Sequence, residues 1–139
     1  MPGPYELYLI RHGLAEERGD AWPDDEKRPL TEEGMARMRK AARGLSRLGV
    51  AFDVVLSSPL VRARQTAEPV AERLGCELLV RDELAPGATA DSLRSAVEGL
   101  EGPVAAVCHQ PDCSGIMLSV TGHDPGFQVG ESFPLELDA

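Results

Sequence analysis

The stretch YELYLIRHG, residues 5–13, indicates the fold class because an apolar run ends abruptly at a polar turn. Its first six residues form a short, mostly apolar run, as expected of a buried strand. His12 lies just beyond this run. The stretch PVAAVCHQP, residues 103–111, has the same form and places His109 just beyond its apolar run. We therefore predict two buried strands, each followed at once by a histidine.

Helical and strand patterns alternate along the rest of the chain. Helices are predicted over 31–48, 58–74 and about 90–100, and a fourth begins after His109 and ends before Gly122. Further strands are predicted over 52–56 and 76–80, and strict alternation over 127–137 indicates a half-buried strand that Pro134 restricts to a sheet edge. Such alternation predicts an α/β fold, a three-layer αβα sandwich with a mostly parallel sheet and one antiparallel edge strand.

Composition limits the classes of function. At 139 residues the chain fits a single domain, 1–139, and a net charge of −9 with 4% aromatic residues argues against nucleic acid as a partner. No apolar run approaches the roughly 20 residues that span a bilayer, and no leader pattern opens the chain, so we expect no membrane association and a cytoplasmic location. Three cysteines predict reduced thiols, and missing ligand spacing predicts no structural metal.

The two histidines indicate a site at one edge of the sheet. Carboxyl ends of parallel strands meet at the same edge, where open α/β folds bind ligands. Either histidine taken alone fits equally well a polar strand end bonded to backbone. Arg62, however, lies in the first turn of a predicted helix, where the helix dipole disfavours a cation unless an anion is bound nearby. Arg64 is more simply a solvated surface arginine.

Four blocks in order resemble the histidine phosphatase superfamily, which is phosphoglycerate mutase-like. They are LIRHG (9–13), RPLTEEG (28–34), SSPLVRARQT (57–66) and CHQP (108–111). The resemblance extends over residues 5–121, and the short chain without large insertions is similar to the compact phosphohistidine phosphatase branch. That branch removes phosphate from histidine phosphotransfer proteins.

The resemblance implies roles for six residues and requires no metal or cofactor. The implied roles are His12 as nucleophile, Arg11 and Arg62 as phosphate ligands, His109 as second active-site histidine, and Gly13 and Gln110 as substrate-binding residues. A neutral imidazole is a good nucleophile when one ring nitrogen donates to backbone. Arg11, Arg62 and a protonated His109 are expected to surround the equatorial oxygens of the transferring phosphoryl group.

The general acid is the main departure from the family pattern. Pro86 stands where many relatives place the acid that protonates an alcohol leaving group, and Glu83 is as well explained as a surface carboxylate. An imidazole leaving group needs less help, so we predict a protein phosphohistidine phosphatase. The alternatives are a phosphatase for a small phosphomonoester, using Glu83 or an acid from residues 16–25, and a non-catalytic phosphate-binding module.

Overall fold

A computed structural model describes residues 5–137 of the chain. Within this range the strands are β1 (Tyr5–Arg11), β2 (Val54–Ser57), β3 (Glu77–Val80), β4 (Val104–Cys108) and β5 (Ser132–Leu137). The α-helices are α1 (Glu32–Arg47), α2 (Val61–Leu74), α3 (Ala90–Val97) and α4 (Asp112–Thr121), and 3₁₀ turns cover Asp25–Lys27 and Asp82–Leu84. The single domain over 1–139 stays a prediction, and its residues 1–4 and 138–139 lie outside the described part. None of the described helices is long and apolar enough to cross a membrane.

The five strands form one sheet in the order β3-β2-β4-β1-β5. The first four are parallel, and β5 runs antiparallel to β1 at the edge. The α/β class, the mostly parallel sheet and the antiparallel edge strand predicted from the sequence are therefore confirmed. Pro134 lies within β5, opposite Tyr8, and the outer position of that strand explains why a residue without a backbone N–H is tolerated.

Two hydrophobic layers cover the sheet, because successive strand residues point to opposite faces. Strand residues Leu9, Leu56 and Ala106 pack with α3 and α4 on one face, while Ile10, Val55 and Val107 pack with α1 and α2 on the other. The helix residues that complete these layers are Leu93, Ala96, Val97, Ile116 and Met117 on the first face, and Met38, Ala42, Ala63, Ala67 and Val70 on the second. This arrangement confirms the three-layer sandwich.

The alternating run 127–137 forms a strand only from Ser132 onward, so the predicted strand is too long by five residues. Gly126 and Gly130 have φ values of 73° and 74°, which is left-handed backbone that interrupts a strand. Phe127 is nonetheless buried in the core, which explains the misleading pattern. The Gly130 N–H donates to the carbonyls of Arg11 and His12 at 3.1 and 3.0 Å and so supports the turn after β1.

Helix α2 begins at Val61, three residues after the predicted start at Ser58. The N-cap is Leu60, whose own N–H donates to the Ser58 hydroxyl at 3.3 Å. The Ser58 side chain is therefore part of a turn before the helix and also contacts His109. Helix α3 likewise ends three residues early, at Val97.

Helix α1 is packed directly against the segment that follows His12. Thr31 caps the helix as predicted, accepting from the Gly34 N–H at 2.8 Å, and the Thr31 N–H donates to the Leu14 carbonyl at 3.0 Å. A Cβ atom placed on Gly34 would collide with that same Leu14 carbonyl oxygen, which is backbone and has little freedom to move. Only glycine therefore permits this close approach.

We expect Gly34→Ala to destabilise the fold by roughly 1–3 kcal/mol, because the added methyl displaces the chain at Leu14. Gly44→Ala is the matched control in the same helix, since a Cβ there meets nothing within 4 Å. It should stabilise by about 0.5–1 kcal/mol through helix propensity. Urea unfolding of both variants tests the contact, and equal stabilisation by both substitutions would contradict it.

Candidate active site

The ring of His12 is oriented by its own backbone neighbour. The His12 backbone N–H donates to the Cys108 carbonyl at 3.1 Å, which fixes the residue at the end of β1. Its ring Nδ1 lies 2.8 Å from the Gly13 carbonyl oxygen. A carbonyl only accepts, so in this pair Nδ1 carries the proton and donates. The Nε2 atom of neutral His12 is then left with its lone pair.

The surroundings of His12 keep its ring neutral. Burial lowers the pKa of His12 from 6.5 to about 4; the Gly13 hydrogen bond opposes this shift, and the Arg62, Arg11 and Arg28 guanidinium groups reinforce it. A neutral ring at pH 7 has an available lone pair, which nucleophilic attack requires.

His109 follows β4 and faces His12, with the two ring centroids 5.2 Å apart. Its Nε2 lies 2.7 Å from the Ser58 hydroxyl, and its Nδ1 is buried with no hydrogen-bond partner among residues 5–137. Burial lowers the pKa of His109 to about 3, with further lowering by His12 and Arg62. Burial among cations disfavours a second charge, so the His109 ring is neutral at pH 7 in this structure, and the protonated His109 expected beside a transferring phosphoryl group stays a prediction.

Arg11 and Arg62 line the same pocket as the two histidines. Arg11 donates from Nη1 to the Phe127 carbonyl at 3.0 Å, and Arg62 donates from Nη1 and Nη2 to the Asp25 carbonyl and carboxylate at 2.8 and 3.0 Å. The Nε atoms of both arginines are buried without a partner among the described residues. Each guanidinium therefore retains an unsatisfied donor, as an anion-binding site requires.

Arg28 and Asp25 were given no individual role by the sequence reasoning, yet they belong to this site. Arg28 is buried and donates from Nε to the Asp25 carboxylate at 2.8 Å. This hydrogen bond from Arg28 lowers the pKa of Asp25, which therefore stays ionised at neutral pH and bridges Arg28 to Arg62. Arg28 belongs to the block RPLTEEG, but no sequence pattern links it to the acidic residues before it.

A pocket of about 310 Å³ collects most of the predicted site residues. It is lined by Arg11, His12, Leu14, Ala15, Arg18, Arg28, Arg62, Pro86, His109, Gln110 and Val129. Four of these are arginines, in a chain whose net charge is −9. The pocket therefore concentrates positive charge within an acidic protein. Arg64, by contrast, is exposed, in keeping with its interpretation as a surface residue.

Gly13 and Gln110 use their polar groups within the protein. The Gly13 N–H donates to Thr66 Oγ1 at 2.9 Å, and Gly13 is not among the pocket-lining residues. The Gly13 carbonyl supports the His12 ring, and the predicted contact of Gly13 with substrate stays a prediction. Gln110 lines the pocket, but its side-chain amide is bonded to the Ser114 N–H and hydroxyl at 2.9 and 2.7 Å. Its binding role stays a prediction.

Among residues 5–137, no aspartate or glutamate lines the pocket. Pro86 lies on its wall, and Glu83 faces a separate surface depression beside Arg81. The loop that contains Pro86 is held by Asp112, whose carboxylate accepts from the Gly87 and Ala88 N–H groups at 2.8 and 3.1 Å. The sequence reasoning missed this anchor, because it joins residues 24 and 25 positions apart. The described residues also contain no group of three potential metal ligands.

We expect stability to fall as the pH is lowered from 6.5 towards 4. The unfolded chain binds protons at His12 and His109 in this window, whereas the folded protein binds them only near pKa 4 and 3. The unfolded state therefore gains protons first, and unfolding becomes easier by up to about 1.4 kcal/mol per pH unit for each histidine. Urea unfolding at several pH values measures this slope, which His12→Ala should reduce. An unchanged slope in that variant would contradict the lowered pKa.

Comparison with known proteins places this geometry in a family. A model of the histidine phosphatase superfamily (branch 1) matches residues 7–86. An uncharacterized protein of Picosynechococcus sp. is 40% identical over 127 residues, covering 85% of this chain and 76% of that protein. A 2,3-bisphosphoglycerate-dependent phosphoglycerate mutase of Methylobacterium radiotolerans is 42% identical over 73 residues, but this chain spans only 33% of the mutase.

Solved structures extend the likeness to the whole fold. A crystal structure from Agrobacterium tumefaciens, assigned to the phosphohistidine phosphatase SixA, has a TM-score of 0.84 at 26% identity. The match covers 97% of this chain and 92% of that one. The protein histidine phosphatase SixA complexed with tungstate also has a TM-score of 0.84, at 27% identity, covering 96% and 88% of the two chains. By the family match over more than half of its length and the likeness to the Picosynechococcus protein, this chain belongs to the histidine phosphatase superfamily.

Proposed function

We propose that this protein is a phosphatase that transfers a phosphoryl group to His12 and then to water, and that its substrate is phosphohistidine in a protein. One observation supports the chemistry above all. Three buried nitrogen atoms without partners, Arg11 Nε, Arg62 Nε and His109 Nδ1, belong to residues that line the pocket beside His12. Buried polar groups are normally satisfied, so three such nitrogens in residues that line one pocket are best explained by an oxyanion as their ligand.

The phosphoryl group is transferred first to the imidazole ring of His12. The lone pair of Nε2 attacks phosphorus, and a phosphorus–Nε2 bond forms. The bond from phosphorus to the substrate imidazole breaks, and that ring, protonated on its other nitrogen, leaves as neutral imidazole. Nδ1 keeps its proton and donates to the Gly13 carbonyl, so the phosphorylated ring is a cation and a good leaving group. Water then attacks phosphorus, the phosphorus–Nε2 bond breaks, and inorganic phosphate leaves the neutral histidine.

The arginines supply the electrostatic part of this mechanism. A transferring phosphoryl group spreads negative charge over its equatorial oxygens, and fixed guanidinium donors match that charge without rearranging during the reaction. Asp25 already holds Arg62 and Arg28 in place, so their orientation does not depend on the substrate. Their positive charge fills the role that a metal ion has in other phosphatases.

The lining of the pocket supports phosphohistidine as the substrate. Pro86 has no proton to give, and no carboxylate among the described residues lines the pocket. The lowered pKa of Asp25 keeps that residue ionised and makes it a poor proton donor at neutral pH. An imidazole leaves with little help from an acid, whereas an alkoxide needs it. The likeness to SixA structures at 26% and 27% identity supports the same substrate class.

We expect His12→Ala to reduce phosphate release on the order of 10³-fold or more, since the nucleophile is lost. The exposed histidine His123 does not line the pocket, and His123→Ala is the matched control with unchanged activity. The assay compares a phosphohistidine protein with an alkyl phosphomonoester at neutral pH in the presence of a chelator.

The two substrates separate the outcomes of this assay. Faster turnover of phosphohistidine supports the proposal, and equal or faster turnover of the ester would identify a phosphomonoesterase. Phosphate binding without release by the wild-type protein would indicate a non-catalytic module. Activity that survives His12→Ala would overturn the mechanism.

Arg62 and Arg64 form a second matched pair, two residues apart on helix α2. Arg62 is buried at the pocket, and Arg64 is exposed. Arg62→Ala is expected to lower kcat/KM by about 10²–10³-fold, as loss of a transition-state donor does, while Arg64→Ala changes it less than about twofold. Steady-state kinetics measure kcat/KM for both variants. An equal decrease of kcat/KM in the two variants would argue against a role for Arg62 in phosphate binding.

A further inference from the structure

Ser58 occupies an unusual position between helix α2 and the second histidine. Its side chain is completely buried, and its hydroxyl oxygen lies 2.7 Å from His109 Nε2. The same oxygen accepts the Leu60 N–H at 3.3 Å. The Ser58 hydroxyl proton therefore needs an acceptor, and within residues 5–137 the contacted group that can accept it is His109 Nε2.

Two hydrogen-bond arrangements of the pair have to be compared. If Nε2 carried the proton, it would donate to Ser58, the hydroxyl proton would be left buried without an acceptor, and the Nδ1 lone pair would repel a bound phosphoryl oxygen. If Ser58 donates to Nε2, the serine is satisfied and neutral His109 carries its proton on Nδ1. Only the second arrangement leaves no buried hydroxyl proton unpaired.

We infer that Ser58 is a positioning residue that holds His109 in the Nδ1–H tautomer, so that Nδ1 donates its hydrogen bond to the phosphoryl group being transferred to His12. The inference rests on the proposed function for its final step, the contact with phosphate. It explains why Nδ1 of a pocket-lining histidine is buried without a partner. His109 then contributes a donor and no net charge.

The two histidines have opposite roles because one is bonded to a hydrogen-bond acceptor and the other to a donor. His12 donates to the Gly13 carbonyl and presents a bare nitrogen, whereas His109 accepts from the Ser58 hydroxyl and presents an N–H. The lowered pKa values of both rings agree with this division, because each role requires a neutral imidazole. His12 is thus the nucleophile and His109 the hydrogen-bond donor, although both are histidines. Their ring centroids lie 5.2 Å apart.

Imidazole ¹⁵N NMR on the full-length protein without substrate tests the tautomer directly at neutral pH. The His109 signals, assigned by their loss in His109→Gln, should show a protonated Nδ1 and a bare Nε2. A protonated Nε2 in the wild-type protein would overturn the inference. Because no substrate is used, this result stands whether or not the proposed phosphatase activity is found.

Kinetics then test the positioning role with a matched pair of buried serines. Ser57 is also fully buried, but its hydroxyl donates to the Ser58 carbonyl at 2.8 Å and not to His109. With a phosphohistidine protein as substrate, Ser58→Ala should lower kcat about tenfold or more with little change in KM, and should mix the His109 tautomers. Ser57→Ala should leave the tautomer unchanged and kcat within about twofold. Equal kcat and an unaltered tautomer in Ser58→Ala would refute the assignment.

Discussion

The parallel pairing of β1 with β4 is the constraint on which the rest of the structure depends. Arg11 stands opposite Cys108, and the His12 N–H closes the ladder by donating to the Cys108 carbonyl. Each histidine is therefore the first residue beyond the paired strands, and both leave the sheet at the same edge. A shift of one residue in this register would turn one side chain to the opposite face and separate the pair.

Burial and positive charge act together on the groups at this edge. The two imidazoles are neutral because they are poorly solvated and surrounded by guanidinium groups. Asp25 offsets part of that positive charge through ion pairs with Arg28 and Arg62, and its carboxylate does not line the pocket. Burial also raises the pKa of Cys108 well above its usual value, so the thiol next to His109 remains protonated and does not compete as a nucleophile.

The sheet, its helices and the convergence of His12, His109, Arg11 and Arg62 could be predicted from the sequence. Apolar runs and the residues that end them are local signals, and the parallel topology brings the ends together. The lowered pKa of His109 could not be predicted, because it depends on burial that only the folded chain creates. The link of Asp25 to Arg62 joins residues 37 positions apart, and the loop before β5 shares the alternation of a strand because its Phe127 is also buried.

Asp112 holds the loop that contains Pro86 by accepting from the Gly87 and Ala88 N–H groups, so the side chain at position 86 can be replaced without loss of these hydrogen bonds. The backbone that presents residue 86 is held from helix α4, independently of which side chain stands there. Under the proposed function, leaving-group preference would be set at this one wall position, apart from His12 and the arginines. A single substitution at position 86 would then change the chemistry offered to a leaving group without moving the loop backbone, His12 or the arginines.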